Sequence, residues 1–117
     1  MEKRNFTRVE FTECASVRHD DQVFFCDTIN IGLQGLYIKT GQELPLDAEV
    51  EITVYYSQDS SIRLNANVVH CEELGLGLQL MGIDVHSFVH LRDVVAVKNN
   101  DQDRILRETF RMARYIQ

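Results

Sequence analysis

The chain has 117 residues, of which twelve are basic and eighteen acidic, giving a formal net charge of −6. This length suits one ordinary domain. Hydrophobic residues make up 44% and charged residues 26%, the composition of a globular rather than a disordered protein. The acidic balance excludes broad binding to DNA or RNA, because neutralising many phosphates needs a basic surface. It leaves open one small anion held by a few local arginines.

The sequence shows no membrane span or secretion signal. A transmembrane helix needs about 20 mostly apolar residues, and no such run is present. The charged first residues are not followed by the apolar segment of a signal peptide. Cys14, Cys26 and Cys71 are odd in number and widely spaced, so we interpret each as a small buried hydrophobe. We therefore expect a cytoplasmic protein with no membrane insertion.

The N-terminal arm, predicted to be mobile over residues 1–8, carries Arg4 and Arg8 four positions apart. Arginine suits bidentate contact with phosphate and with the O6/N7 edge of guanine, and it stacks on bases. The simpler interpretation is a solvated basic tail.

Residues 9–82 are predicted to form the body of the domain. Apolar side chains recur every second residue, as at Val50, Ile52 and Val54, which indicates strands with one buried face. Six short strands at regular spacing are typical of a small barrel or sandwich, and we predict an antiparallel barrel. The predicted strands are RVEFTECA, QVFFCDTIN, GLYIKT, EVEITVYY, IRLNANVVH and LGLQL.

Two glycine clusters interrupt these strands. In NIGLQG, Asn30, Gly32 and Gly35 lie at a strand junction, where glycine permits φ > 0 and leaves room for a ligand against the main chain. Taken alone, the stretch is better explained as a tight β-turn. Gly75 and Gly77 lack the context of a phosphate loop, and alternate glycines in a strand indicate curvature or close backbone approach.

Residues 84–117 are predicted to be helical. Phe88 and Leu91 begin a helical period, and Asn100 with Asp103 resembles a capping box that opens a second helix. The predicted apolar side of this helix holds Ile105, Leu106, Phe110, Met112, Ala113 and Ile116. The opposite side holds a row of arginines, Arg104, Arg107, Arg111 and Arg114. The row fits either a solvated face or a dock for an acidic partner.

No catalytic or metal-binding motif is found in the sequence. A nucleophile elbow is absent, and His86 and His90 lack both the HExxH pattern and a third ligand at a telling spacing. We interpret this pair as surface histidines. We predict no catalytic residue, no metal and no cofactor, and an enzyme acting on a nucleotide is the least favoured function.

The N-terminal arginine pair and the NIGLQG stretch, taken in this order along the chain, resemble two motifs of the PilZ domain. The family's RxxxR motif matches Arg4 to Arg8, and its (D/N)xSxxG motif matches Asn30-Ile31-Gly32-Leu33-Gln34-Gly35. LYI, GLGLQL and SFVHLRDVV are similar to later PilZ segments, so the resemblance covers essentially the whole chain as a single domain. It implies a six-stranded antiparallel barrel with C-terminal helices that binds the bacterial second messenger cyclic di-GMP.

The resemblance also implies residue roles. The two motif arginines engage guanine edges and phosphates, Asn30 reads a guanine, and Gly35 permits close approach of the ligand. Gly32 departs from the family pattern, which has serine there. A hydrogen bond to a charged phosphate is worth about 1.5–3 kcal/mol, so its loss lowers affinity roughly tenfold or more.

Two functions follow from this resemblance. The first is a cyclic di-GMP receptor that relays the signal to an unidentified partner protein. The second is a degenerate PilZ-like adaptor that binds no nucleotide and acts through protein contacts.

Overall fold

The computed structural model describes residues 6–117, which form seven strands, two helices and a final 3₁₀ turn. The strands are β1 (Arg8–Glu10), β2 (Cys14–His19), β3 (Gln22–Gly32), β4 (Gly35–Lys39), β5 (Glu49–Tyr55), β6 (Ser61–Glu72) and β7 (Gly75–Ile83). The helices are α1 (Val85–Lys98) and α2 (Gln102–Met112), followed by the 3₁₀ turn Ala113–Tyr115.

The strands form one antiparallel sheet in the order β1-β3-β2-β5-β6-β7-β4, and an additional β3–β4 pairing closes it. Six strands, β2 to β7, thus make a closed barrel. The long strand β3 pairs with β2 along its first part and with the short strand β1 along its last three residues. The predicted six-stranded antiparallel barrel with a C-terminal helical segment is confirmed. Closure removes the exposed strand edges that an open sheet would leave.

The first predicted strand is in fact two strands. RVEFTECA divides into β1 and β2, which pair with different parts of β3. Thr28 lies opposite the break and is buried, so its hydroxyl needs hydrogen-bond partners. The hydroxyl accepts from the Glu13 N–H at 2.9 Å and donates to the Phe11 carbonyl. It thereby satisfies backbone groups that the interrupted ladder leaves unpaired.

The barrel interior is filled by the alternating apolar residues that the sequence pattern predicted. Ile52, Ile62 and Leu78 are fully buried. Helix α1 packs Phe88 and Leu91 into the same core. A hydrogen bond of 2.7 Å from the Ser87 N–H to the N-cap carboxylate Asp84 starts this helix.

Helix α2 differs from its prediction in its cap. The N-cap is Asp101, whose Oδ1 accepts from the Arg104 N–H at 3.1 Å. The predicted cap was Asn100, one residue earlier. The helix ends at Met112, so Ala113 and Ile116 lie beyond it.

The buried side of α2 also differs from its prediction. Ile105 and Met112 are buried as expected, but Leu106 and Phe110 are 53% and 72% exposed. The third buried position is Glu108, which the sequence interpretation had not placed on the apolar side. These positions, i, i+3 and i+7, share one helix side, and Leu106 and Phe110 are rotated away from it.

The cysteine prediction is wrong for two of three residues. Cys14 and Cys71 are exposed, while Cys26 is buried. Burial, with smaller contributions from the charges of Asp27 and Cys14, raises the pKa of the Cys26 thiol to about 12.

Among residues 6–117, neither helix has the length and apolarity that crossing a bilayer requires.

Candidate functional site

Four of the five predicted site residues lie on adjoining strands, and the fifth, Arg4, is outside the described residues. In the β1–β3 ladder Arg8 is opposite Gly32, and Glu10 is opposite Asn30. The Arg8 guanidinium Nη1 donates to Asn30 Oδ1 at 2.9 Å. The fold therefore joins the last arginine of the first motif to the first residue of the second motif.

Gly32 is needed for a close approach rather than for a turn. No glycine among residues 6–117 has a positive φ, so the positive φ that glycine permits is not used at Gly32. A Cβ atom on Gly32 would lie 2.3 Å from the Thr7 carbonyl oxygen. The arm backbone thus crosses the strand directly over this glycine, in the space that a serine side chain would need.

Gly35 makes a similar contact with a different strand. A Cβ atom there would lie 2.1 Å from the Leu78 carbonyl oxygen of β7. The Leu80 N–H donates to the Gln34 carbonyl at 2.6 Å in the same region. The group that approaches Gly35 is therefore a neighbouring strand, and ligand contact at this residue stays a prediction.

The arm is fixed to α2 by a buried carboxylate. Glu108, 2% exposed, accepts from the Thr7 N–H at 3.0 and 3.1 Å and from the Thr7 hydroxyl at 2.7 Å. Arg104 Nε donates to the same carboxylate at 3.1 Å. Phe6 is buried, and the Arg111 guanidinium lies 4.6 Å above its ring. Residues 6–8 of the arm predicted to be mobile are thus packed between β3 and α2.

The arginine row of α2 divides into different environments. Arg111 contacts Phe6 of the arm, whereas Arg104 pairs with Glu108 on its own helix. Arg107 lines the same cleft, of about 300 Å³. Arg114 lies 5.1 Å from the Tyr115 ring in the 3₁₀ turn. Glu108 was missed in the sequence, although it sits three residues after Ile105 in the buried stripe.

Comparison with known families identifies the fold. The family model described as PilZ domain matches residues 2–96. The chain belongs to the PilZ domain family. Its resemblance to that family is therefore confirmed, and α2 lies beyond the matched region. Curated protein sequences give no match.

Solved PilZ structures share this fold at low sequence identity. The PilZ domain with c-di-GMP of YcgR from Escherichia coli is 10% identical, with a TM-score of 0.70 over 86% of this chain and 95% of that one. The PilZ domain of CeSA from a cellulose-synthesizing bacterium is 13% identical, with a TM-score of 0.64 over 76% and 94%. The Bacillus subtilis inhibitor of motility MotI/DgrA is 12% identical, with a TM-score of 0.71 over 83% of this chain and 51% of that one.

The histidine pair of this PilZ domain forms a short hydrogen-bonded chain. The Tyr56 hydroxyl lies 2.6 Å from His90 Nδ1, and His90 Nε2 lies 3.2 Å from His86 Nε2. These contacts account for the placement of both rings. In the part of the chain that the structure describes, no group of three or more His, Cys, Asp or Glu side chains is arranged to hold a metal ion.

Proposed function

We propose that this PilZ domain binds cyclic di-GMP and passes the signal to a partner protein in the bacterial cytoplasm. The observation that carries the proposal is the 2.9 Å contact between Arg8 and Asn30. It brings a guanidinium and an amide together, and these two groups suit the phosphates and the hydrogen-bonding edges of a guanine nucleotide. PilZ domains are binding and adaptor domains, so no catalytic step is assigned to this chain.

Arg8 and Asn30 form the core of the proposed binding site. The Arg8 guanidinium contacts the guanine edge and phosphate, and Asn30 reads a second set of guanine atoms. Their mutual hydrogen bond opens or is shared when the ligand is bound, since both groups turn to the nucleotide. Arg4, the other arginine of the RxxxR motif, lies three residues before Thr7 in the sequence, and we propose that it also contacts the ligand.

The position of the arm over Gly32 restricts how a ligand can approach the site. Because the Thr7 carbonyl covers this glycine, a ligand must approach Arg8 and Asn30 beside the arm or displace Thr7 from β3. The ligand shifts the arm only by the difference in its affinity for the two arm positions. The family's serine hydroxyl is absent, so the remaining contacts, or a bridging water, supply the affinity.

The second candidate is a PilZ-like adaptor that binds no nucleotide. The covered Gly32 favours it, because the arm fills the space that the family's serine would occupy. Under this hypothesis, the surface that includes the exposed Leu106 and Phe110 of α2 remains available for protein contacts, and nucleotide has no effect.

Calorimetric titration of variants with cyclic di-GMP tests the site. We expect Arg8→Ala and Asn30→Ala each to lower the affinity by about tenfold or more, since each removes hydrogen bonds to the ligand. Arg92→Ala is the control, because this exposed arginine of α1 forms an ion pair with its neighbour Asp93, away from Arg8 and Asn30 in the sequence. Unchanged affinity in Arg8→Ala, alongside binding by the wild type, would contradict the assigned site. No binding by the wild type at high micromolar ligand would support the adaptor.

A further inference from the structure

A row of side chains extends from Asn30 across the outer face of the barrel. Asn30 is opposite Tyr37 in the β3–β4 ladder, Tyr37 is opposite Gly77 in the β4–β7 ladder, and Gly77 is opposite His70 in the β6–β7 ladder. Directly opposite residues in a sheet point to the same face. Leu36, next to Tyr37 in the chain, is fully buried and points into the core. Asn30, Tyr37 and His70 therefore share the outer face.

The two rings of this row lie over glycines. A Cβ atom on Gly75 would lie 2.6 Å from Tyr37 Cε2 and 2.7 Å from its hydroxyl oxygen. A Cβ atom on Gly77 would lie 3.0 Å from His70 Cβ and 3.1 Å from its Cδ2. The alternating glycines of GLGLQL thus leave room for two aromatic side chains to lie close against the sheet. We call Tyr37 and His70, with Gly75 and Gly77 beneath them, the aromatic shelf.

The Tyr37 ring is held in place by a neighbouring strand. Its hydroxyl donates to the Glu72 carboxylate of β6. This hydrogen bond, with smaller contributions from desolvation and from the charges of Glu72 and Cys71, raises the pKa of Tyr37 to about 12. The phenol therefore stays neutral at physiological pH. A ring that is already fixed loses less conformational entropy when a ligand stacks on it.

We propose that the aromatic shelf is a base-stacking surface of the nucleotide site, an inference that rests on the proposed binding of cyclic di-GMP. Tyr37 is one strand away from Asn30, roughly 5 Å between backbones, and His70 is two strands farther. Arg8 bonds to Asn30 from the β1 side. The face thus presents a cation for phosphate, an amide for a base edge and an aromatic ring for the plane of a base.

The chemistry of the shelf favours a nucleobase as its ligand. Aromatic side chains stack on the π-face of any base, while selectivity for guanine comes from hydrogen bonds at the base edge. Tyr37 is half-buried and His70 is exposed, so both rings can be reached from solvent. Asn30 and Tyr37, being direct cross-strand neighbours, can contact the edge and the plane of one guanine.

A single indole reporter tests the stacking directly. The chain contains no tryptophan, so Tyr37→Trp introduces one unique fluorophore on the shelf. The matched control is Tyr55→Trp, because Tyr55 is likewise a strand tyrosine reachable from solvent, and its hydroxyl lies 2.9 Å from Ser16 Oγ on the adjacent strand. We expect cyclic di-GMP to quench the Tyr37→Trp emission with a saturable dependence and to leave that of Tyr55→Trp unchanged.

Calorimetry separates stacking from the hydroxyl contact. We expect Tyr37→Ala to lower the affinity for cyclic di-GMP by about tenfold or more, the size of a lost base stack. Tyr37→Phe keeps the ring and is expected to bind within roughly threefold of the wild type, which corresponds to less than 1 kcal/mol. Tyr55→Ala should bind like the wild type. Circular dichroism of each variant confirms that the barrel is intact.

The outcomes distinguish the shelf from the proposed function. Binding by the wild type with unimpaired Tyr37→Ala and unquenched Tyr37→Trp would overturn the shelf and leave the proposed function standing. Failure of the wild type to bind cyclic di-GMP would contradict both.

Discussion

Close contacts with the backbone of other segments require glycine at two positions of the NIGLQG stretch. The Thr7 carbonyl of the arm occupies the space above Gly32, and the Leu78 carbonyl of β7 occupies the space above Gly35. Both contacts join residues distant in sequence, so the sequence alone indicated only that NIGLQG was unusual. Glycine also permits a positive φ, but neither residue adopts one, and the short distance to the approaching backbone is what requires glycine here.

Restoring the family's serine is expected to displace the arm. In Gly32→Ser the new Cβ would lie 2.3 Å from the Thr7 oxygen, well inside contact distance, so Thr7 must move from β3. We expect faster hydrogen exchange at the Thr7 amide, measured by NMR. Gly41→Ser is the control, because nothing lies within 4 Å of its Cβ position. Equal exchange in both variants would contradict this account of Gly32.

The pKa of the Tyr37 hydroxyl is expected to be higher than that of an ordinary tyrosine. Because Glu72 accepts its hydrogen bond, the phenolate absorbance that is lost in Tyr37→Phe is expected to have its midpoint near pH 12, and Glu72→Gln should return that midpoint toward the ordinary value of about 10. The folded pKa is raised, so the contribution to stability is present below about pH 10 and is lost as the pH rises to 12. Glu73→Gln is the control, and a midpoint unchanged by Glu72→Gln would refute the assigned hydrogen bond.

At the level of elements, the sequence pattern predicted the presence of helix α2 but not which of its sides is buried. Its helical period predicted the element, and Ile105 and Met112 are on the buried side as expected. The pattern assigned Leu106 and Phe110 to the same side, because apolar residues alone cannot fix the rotation of a short helix. The rotation is explained by Glu108, whose partner Thr7 lies 101 residues earlier in the chain. No local pattern contains that contact.

Removing the Glu108 carboxylate is expected to destabilise the domain. Glu108→Ala leaves the Thr7 N–H and hydroxyl without their acceptor and Arg104 without its partner, which costs about 1–3 kcal/mol. Urea unfolding measures the loss. Asp103→Ala is the control, since this exposed acid lies in the first turn of α2, where its interaction with the helix dipole is worth about 0.3–1 kcal/mol.

A double-mutant cycle localises the Glu108 contribution. If Glu108 acts through the arm, Thr7→Val and Glu108→Ala together should cost less than the sum of the two single changes. Additive effects would show that the Thr7 hydroxyl adds nothing to the contact, which would then rest on the Thr7 N–H alone.

The strands were largely predictable, because each one shows a two-residue period. The division of the first run into β1 and β2 was not, since it depends on the hydroxyl of Thr28 on another strand. The aromatic shelf was equally hidden. Tyr37 and His70 share a face only through the ladders of β4 and β6 with β7, and the register between strands is not visible in any one of them.

In the whole molecule, segments that are far apart in the sequence meet beside the NIGLQG stretch. The β3–β4 pairing puts NIGLQG between the arm and the GLGLQL strand, and α2 packs against the arm from the opposite end of the sequence. The proposed nucleotide face is thus bordered by a helix outside the region that the PilZ family model matches. We therefore expect a change in the position of the arm to alter the contact between Thr7 and Glu108 of α2.

Titration calorimetry of the wild-type protein with cyclic di-GMP tests the central claim most directly. We predict saturable binding at micromolar ligand, and much weaker binding of cyclic di-AMP, because the adenine amino group cannot replace the guanine O6 acceptor for arginine. Absence of saturable heat with cyclic di-GMP at high micromolar concentration would contradict the proposed receptor function.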